Sequence, residues 1–266
     1  MNRFFVLLLA ALVVELVGAK GSFQVSIAKP RLSTQHFRSI RPLSTSRAAR
    51  LRPQKFASGG QNFTDYMDLF YAGNITIGTP PQQFQVEFDT DRASSWVLDD
   101  SCTDEQMCEG QYNPGIGKWK KQKFHRNQSS TFQKNDTQFY EYVLGTGVYG
   151  YLGVDTFVVG GISVKKQAFG MIDTVEGYFP YYPYDGVLGL GWPSIAEDGE
   201  TPVFQNMIPQ LDAPIFNLWL DRHVKPSKGN AGGQITFGAL DTTNCDAPLV
   251  YSPLVREAEW VFNVDA

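Results

Sequence analysis

Histidine is scarce and poorly placed for chemistry: only His36, His125 and His223 occur in 266 residues, in no spacing that a metal site uses. The chain also lacks a G-x-S-x-G nucleophile elbow and a Gly-rich phosphate loop. Metal-assisted hydrolysis, serine-type acyl transfer and nucleotide chemistry are therefore left without their residues. Carboxylates remain as the reactive groups, and no cofactor and no metal ligand set is expected. Past the first segment no run is long and apolar enough to cross a bilayer. Acidic residues are missing altogether from Lys20 through Thr64. Cysteine is limited to Cys102, Cys108 and Cys245.

What is present begins with Met1-Asn2-Arg3, an apolar stretch from Phe4 to Val17 broken by Glu15, and the small residues Gly18 and Ala19. This is the pattern of a cleaved signal peptide over 1–19, and it places the chain in the secretory pathway, bound for the extracellular space or the lysosome. Residues 1–55 hold ten of the 23 Lys and Arg but one of the 27 Asp and Glu, leaving 13 basic and 26 acidic residues in the body. A basic segment over 20–60 that lies against its own acidic body fits this asymmetry better than a nucleic-acid arm, and acid would weaken the attraction. In an oxidising compartment Cys102 and Cys108 are expected to close a short disulfide, leaving Cys245 without a partner in the chain. Asn62, Asn74, Asn127 and Asn135 each begin an Asn-x-Ser/Thr glycan acceptor. The run Lys118-Trp119-Lys120-Lys121-Gln122-Lys123 reads as a solvated loop.

From Phe70 onward short alternating segments recur between Gly, Pro, Asn and Asp, among them Asn74–Ile77, Phe84–Phe88, Phe157–Val159 and Gln234–Phe237. Period-two alternation with frequent turn residues predicts an all-β sandwich or barrel. One helix is expected, with Thr201 as cap, Pro202 at the first position, and Val203, Phe204, Met207 and Ile208 on one face. The final stretch Glu259–Ala266 reads as a strand. Among the carboxylates Asp89 is distinctive: it ends a strand, precedes Thr90 and has apolar neighbours.

These residues carry a resemblance. The stretch from Asp68 to Phe84 resembles the opening strands of a pepsin-like aspartic peptidase. Phe88-Asp89-Thr90 with Ser94-Ser95-Trp96-Val97 is similar to that family's first active-site loop, normally Asp-Thr-Gly-Ser followed by Trp. Gly145-Thr146-Gly147, Asp185-Gly186-Val187-Leu188-Gly189, Thr201-Pro202-Val203-Phe204 and Gly233–Gly238 follow in family order. The resemblance implies an all-β, pepsin-like acid protease fold, with an amino-terminal β-barrel lobe over 61–238. It also implies an inhibitory prosegment over 20–60 and the start of a truncated carboxy-terminal lobe over 239–266. The implied chemistry is peptide hydrolysis by two aspartates that share one proton, activate a water and form no covalent intermediate. Asp89 would be one of the pair, braced by Thr90. Val187, Leu188 and Gly189 would thread beside the active-site loop, and Leu144, Gly145, Thr146 and Gly147 would form the flap. The implied partners are a peptide or protein substrate and the chain's own prosegment. A monomer that engages neither nucleic acid nor, after signal cleavage, membrane is expected.

Several positions depart from the family pattern. Asp91 replaces the Gly that permits a tight turn, adding bulk and charge to the cleft. Arg92 replaces a small hydroxyl residue and is expected to salt-bridge Asp89 or Asp91, taking a carboxylate out of proton sharing. Leu144 stands where a flap Tyr would contact Trp96. No Asp-Thr-Gly or Asp-Thr-Ser occurs anywhere, and Asp241-Thr242-Thr243 reads as a structural loop. An aspartic endopeptidase by family, with this chain inactive, is therefore expected. The alternative is a catalytically dead, secreted peptide-binding protein.

Overall fold

The computed structural model describes residues 57–143, 145–221, 228–246 and 248–264. Among them are twelve strands: β1 (Gly59–Tyr66), β2 (Phe70–Ile77), β3 (Gln82–Asp89), β4 (Trp96–Leu98), β5 (Tyr112–Asn113), β6 (Gly117–Lys118), β7 (Gln133–Val143), β8 (Thr146–Val159), β9 (Ile162–Gly177), β10 (Gly186–Gly189), β11 (Phe216–Leu220) and β12 (Lys228–Phe237). All but β5 and β6 join one sheet, in the order β11-β12-β1-β2-β3-β10-β4-β9-β8-β7. A second pairing of β2 with β8 closes β2, β3, β10, β4, β9 and β8 into a ring. This is the expected all-β barrel. The expected signal peptide, and the leader as far as Phe56, lie outside the described residues.

Alternation explains which side chains enter the barrel. On β3, Phe84 and Val86 are 1% and 0% exposed, whereas Gln85, Glu87 and Asp89 project to the opposite face. Phe84, Phe124, Phe157 and Phe169 meet edge-on or tilted, and burying each contributes about 2 kcal/mol. Between β8 and β9, Gly160 and Gly161 both take positive φ, the geometry of a two-residue hairpin that glycine adopts without strain. A second cluster gathers Trp96, Phe139, Phe179, Tyr184 and Val187 on the side that carries Asp89.

Four expectations shift. Gly59 and Gly60, placed in the leader segment, already pair with Phe237 and Thr236, so β1 starts ahead of residue 61. The helix α1 spans Val203–Met207 with Pro202, not Thr201, at the N-cap, and no side chain caps it. Val203, Phe204 and Met207 are buried, but Ile208 turns outward in the 3-10 turn that follows. Glu259 to Val264 form no strand, because no neighbouring strand offers them a ladder. Val255 and Glu259 instead bond to Val261 in tight local turns, and Trp260 alone is driven inward, its indole N–H donating to the Leu190 carbonyl at 2.8 Å. The run at 118–123 is not a solvated loop throughout: Lys121 is 2% exposed. Its Nζ donates to the carbonyls of Phe179, Tyr182 and Tyr184 at 3.0, 2.8 and 2.5 Å. A buried ammonium is tolerable only when its donors are matched in this way.

Candidate active site

The site forms where β3 ends. β10 runs parallel to β3 in a register that sets Val187 beside Glu87 and Gly189 beside Asp89. The main chain after Asp89 folds across the end of β10. There Leu190 donates to the Asp89 carbonyl at 2.8 Å, Gly191 to the Arg92 carbonyl at 2.6 Å, and Gly189 to Ser95 Oγ at 3.0 Å. The approach is so close that a Cβ on Gly189 would lie 2.5 Å from the Ala93 backbone, which only glycine avoids. Val187, Leu188 and Gly189 thus lie on β10, against β3 and the loop that follows Asp89.

Charge is concentrated on the open side of this loop. Arg92 Nε lies 2.9 Å from Asp89 Oδ2, and Arg92 Nη1 lies 3.3 Å from Glu141 Oε1. The Nε–H bond is not aimed at the Asp89 oxygen, so that contact is a Coulomb pair rather than a hydrogen bond. The other Asp89 oxygen accepts the Asp91 backbone N–H at 2.8 Å. Arg92 thus pairs with Asp89, one of its two expected partners. Its second partner is Glu141 rather than Asp91. Burial pushes the Asp91 carboxyl up, reinforced by the charges of Asp89 and Glu259 and opposed by Arg92.

Glu141 projects from β7 and is 5% exposed. Desolvation pushes its carboxyl up to about 7, with Arg92 acting downward and Asp89 and Glu197 upward. Its Oε2 has no hydrogen-bond partner, and the Trp96 indole N–H faces it without reaching bonding geometry. Glu87 is also raised to about 7, first by burial and then by Asp89, while Tyr184 and Arg92 act in the opposite sense.

A cavity of about 80 Å³ opens beside Asp89. Its walls include Phe70, Glu87, Trp96, Thr146, Phe179 and Tyr184. The Lys121 ammonium holds the far side of this wall, 3.7 Å from the centre of the Phe179 ring. Thr146, the first residue of β8, brings the hairpin of β7 and β8 to the cavity wall. Val143 pairs with Thr146, and Gly145 lies in the turn before β8. Thr146 and Gly147, expected at the flap tip with Gly145, therefore already belong to β8. Leu144 lies outside the described residues. Thr90 is buried and Trp96 is 3% exposed.

The remaining sequence expectations sort clearly. Cys102 and Cys108 form the disulfide, and Cys245 is free and half-buried. Asp241 caps its own turn, accepting the N–H groups of Thr243 and Asn244 at 3.0 Å each. Asn62, Asn74 and Asn127 are exposed, and Asn135 is half-buried. No helix among the described residues is long and apolar enough to cross a membrane. Sequence reasoning missed Glu87, Glu141 and Lys121. Glu87 was recoverable, since a residue two positions before Asp89 in a strand shares its face.

A family model described as eukaryotic aspartyl protease matches residues 70–266. The chain is similar to Aspartic protease 1 of Caenorhabditis elegans, 44% identical over 218 residues that cover 81% of this chain and 54% of that protein. It is similar to Pepsin A of Rhinolophus ferrumequinum, 38% identical over 210 residues, covering 77% of this chain and 50% of that protein. Cathepsin E-B of Xenopus laevis is 36% identical over 205 residues, 76% of this chain and 48% of its own length. The chain thus spans about half the length of these relatives.

Proposed function

The chain belongs to the eukaryotic aspartyl protease family, and on that premise we propose that its barrel is the amino-terminal wall of the peptide-binding cleft of an acid-active endopeptidase. Asp89 is the catalytic carboxylate that this chain contributes, and a second carboxyl group must meet it to share one proton and activate water. The chain by itself hydrolyses nothing. The observation that carries this reading is the ion pair of Arg92 with Asp89 at 2.9 Å. A guanidinium held against the carboxylate takes the place where a shared proton and the attacking water would lie.

Around this core stand a signal peptide over 1–19, a basic prosegment that starts at residue 20 and ends ahead of β1 at Gly59, passage through the secretory pathway with glycans at the exposed Asn-x-Ser/Thr sites, and a monomeric state. The experiment is digestion of a protein substrate by the purified, acid-treated chain, with and without pepstatin. No pepstatin-sensitive cleavage is expected, and none after Asp91→Gly with Arg92→Ser, because the dyad is still incomplete. Cleavage by the unaltered chain overturns the reading. A second reading, a peptide-binding protein that never cuts, is favoured by the buried Glu141 that holds Arg92 from the flap side. Activity on adding a separately made carboxy-terminal lobe of a relative would decide for the enzyme.

A further inference from the structure

We propose that the cavity beside Asp89 is a subsite for a basic side chain, lysine or arginine, of a peptide lying in the cleft, and that Glu87 is the residue that selects it. The proposal rests on the peptide-cleft reading above and adds the class of side chain that the cleft captures at and above neutral pH.

Position comes first. Glu87 and Asp89 project from the same face of β3, so a side chain entering beside Glu87 belongs to a residue whose backbone lies at or next to Asp89. The walls suit a long side chain with a charged end. Phe70, Trp96, Phe179 and Tyr184 offer apolar faces to the methylene stem, and aromatic faces attract ammonium and guanidinium groups. The volume, about 80 Å³, accommodates the end of one such chain.

Charge bookkeeping singles out Glu87. Arg92, which also lines the cavity, is committed to Asp89 and Glu141. Lys121, behind the wall, is committed to three carbonyls. Among the described residues Glu87 makes no ion pair. One further polar atom in the lining, Thr146 Oγ1, is buried without a hydrogen-bond partner. Buried polar groups are nearly always satisfied, and a cationic guest would give Glu87 a counter-charge and Thr146 a donor.

The groups facing Glu87 are Asp89 and Arg92 from its own strand and loop, and Tyr182 and Tyr184 from the segment before β10. With its carboxyl raised to about 7, Glu87 is charged above neutrality and protonated in acid. Selection for a cation should therefore be strongest above pH 7 and fade as the pH falls.

The test uses the full chain and a series of end-blocked peptides identical except for Lys, Arg, norleucine or Glu at one scanned position, with affinity read by calorimetry at pH 8 and pH 5. At one position Lys and Arg should bind about ten-fold more tightly than norleucine at pH 8, with the margin shrinking to under three-fold at pH 5. Glu87→Gln should bind the Lys and norleucine peptides equally. Glu87→Leu, which removes the buried polar group and its folding cost, should prefer norleucine. Equal binding of Lys and norleucine by the unaltered chain at pH 8, or a Lys preference that survives in either variant, overturns this inference alone. Failure of every peptide to bind overturns the cleft reading and this inference with it.

Discussion

The two ends of β10 set an aspartate, buried at one end and half-buried at the other, in opposite circumstances. At the start, Asp185 is 0% exposed and fully occupied: Oδ1 accepts the Trp119 indole at 3.0 Å and the Gln122 N–H at 2.9 Å, and Oδ2 accepts the Gln85 N–H at 2.8 Å. At the finish, Asp89 shares one guanidinium with Glu141, while Glu87 nearby makes no ion pair among the described residues and Thr146 Oγ1 has no hydrogen-bond partner. The first arrangement spends its hydrogen bonds on fixing β3, β10 and the Lys118–Lys123 loop together. The second leaves them available to something from outside. A satisfied polar group is a structural element, and an unsatisfied one is a candidate for binding.

Mutations at the two ends should sharpen or break this contrast. Asp185→Ala strands three donors and removes the negative charge nearest the Lys121 ammonium, and is expected to cost about 3–5 kcal/mol in denaturant unfolding. A cost under about 1 kcal/mol would show that the Asp185 hub is dispensable. Between the ends, Gly189→Ala forces a methyl group to within 2.5 Å of the Ala93 backbone and is expected to cost about 2–3 kcal/mol. At the Asp89 end, Arg92→Met should cost less, about 2 kcal/mol at pH 8, and at pH 5 only what the remaining Asp89 pair contributes. The pH sensitivity follows from Glu141. Its folded carboxyl is raised from 4.5 to about 7, so its contribution to stability is present below pH 4.5 and is lost as pH rises through about 7. The melting temperature of the unaltered chain should accordingly rise between pH 7 and pH 5, and Glu141→Gln should remove part of that rise, the rest coming from Glu87, which is raised to about 7 in the same way. Away from both ends, Arg256→Ala breaks an exposed pair with Glu259 and should change stability by less than about 0.5 kcal/mol.

The contrast also shows which features the sequence makes readable. Phe84, Val86 and Phe88 against Gln85, Glu87 and Asp89 announce a two-faced strand because alternation is a local property. The Gly160-Gly161 turn is legible for the same reason. Arg92 was legible as a partner of Asp89, being three residues away. Glu141 was not, because the register of β7 on β8 is what brings it across. Lys121 was misread for a similar reason: a charge run looks solvated until the carbonyls of Phe179, Tyr182 and Tyr184 arrive from far along the chain. Glu259 to Val264 show the reverse error, since alternation alone makes no strand where no neighbour completes the ladder.

The barrel closes on itself through two rungs, Thr76 with Val158 and Ile77 with Phe157, assisted by the Gly78 amide on the Thr156 carbonyl. That join works as the clasp of a bracelet. Slipping it would free the rims of β2 and β8 while leaving the long β8–β9 ribbon hydrogen-bonded as before, and its counterpart inside the ring is the β10–β4 join, also of two rungs.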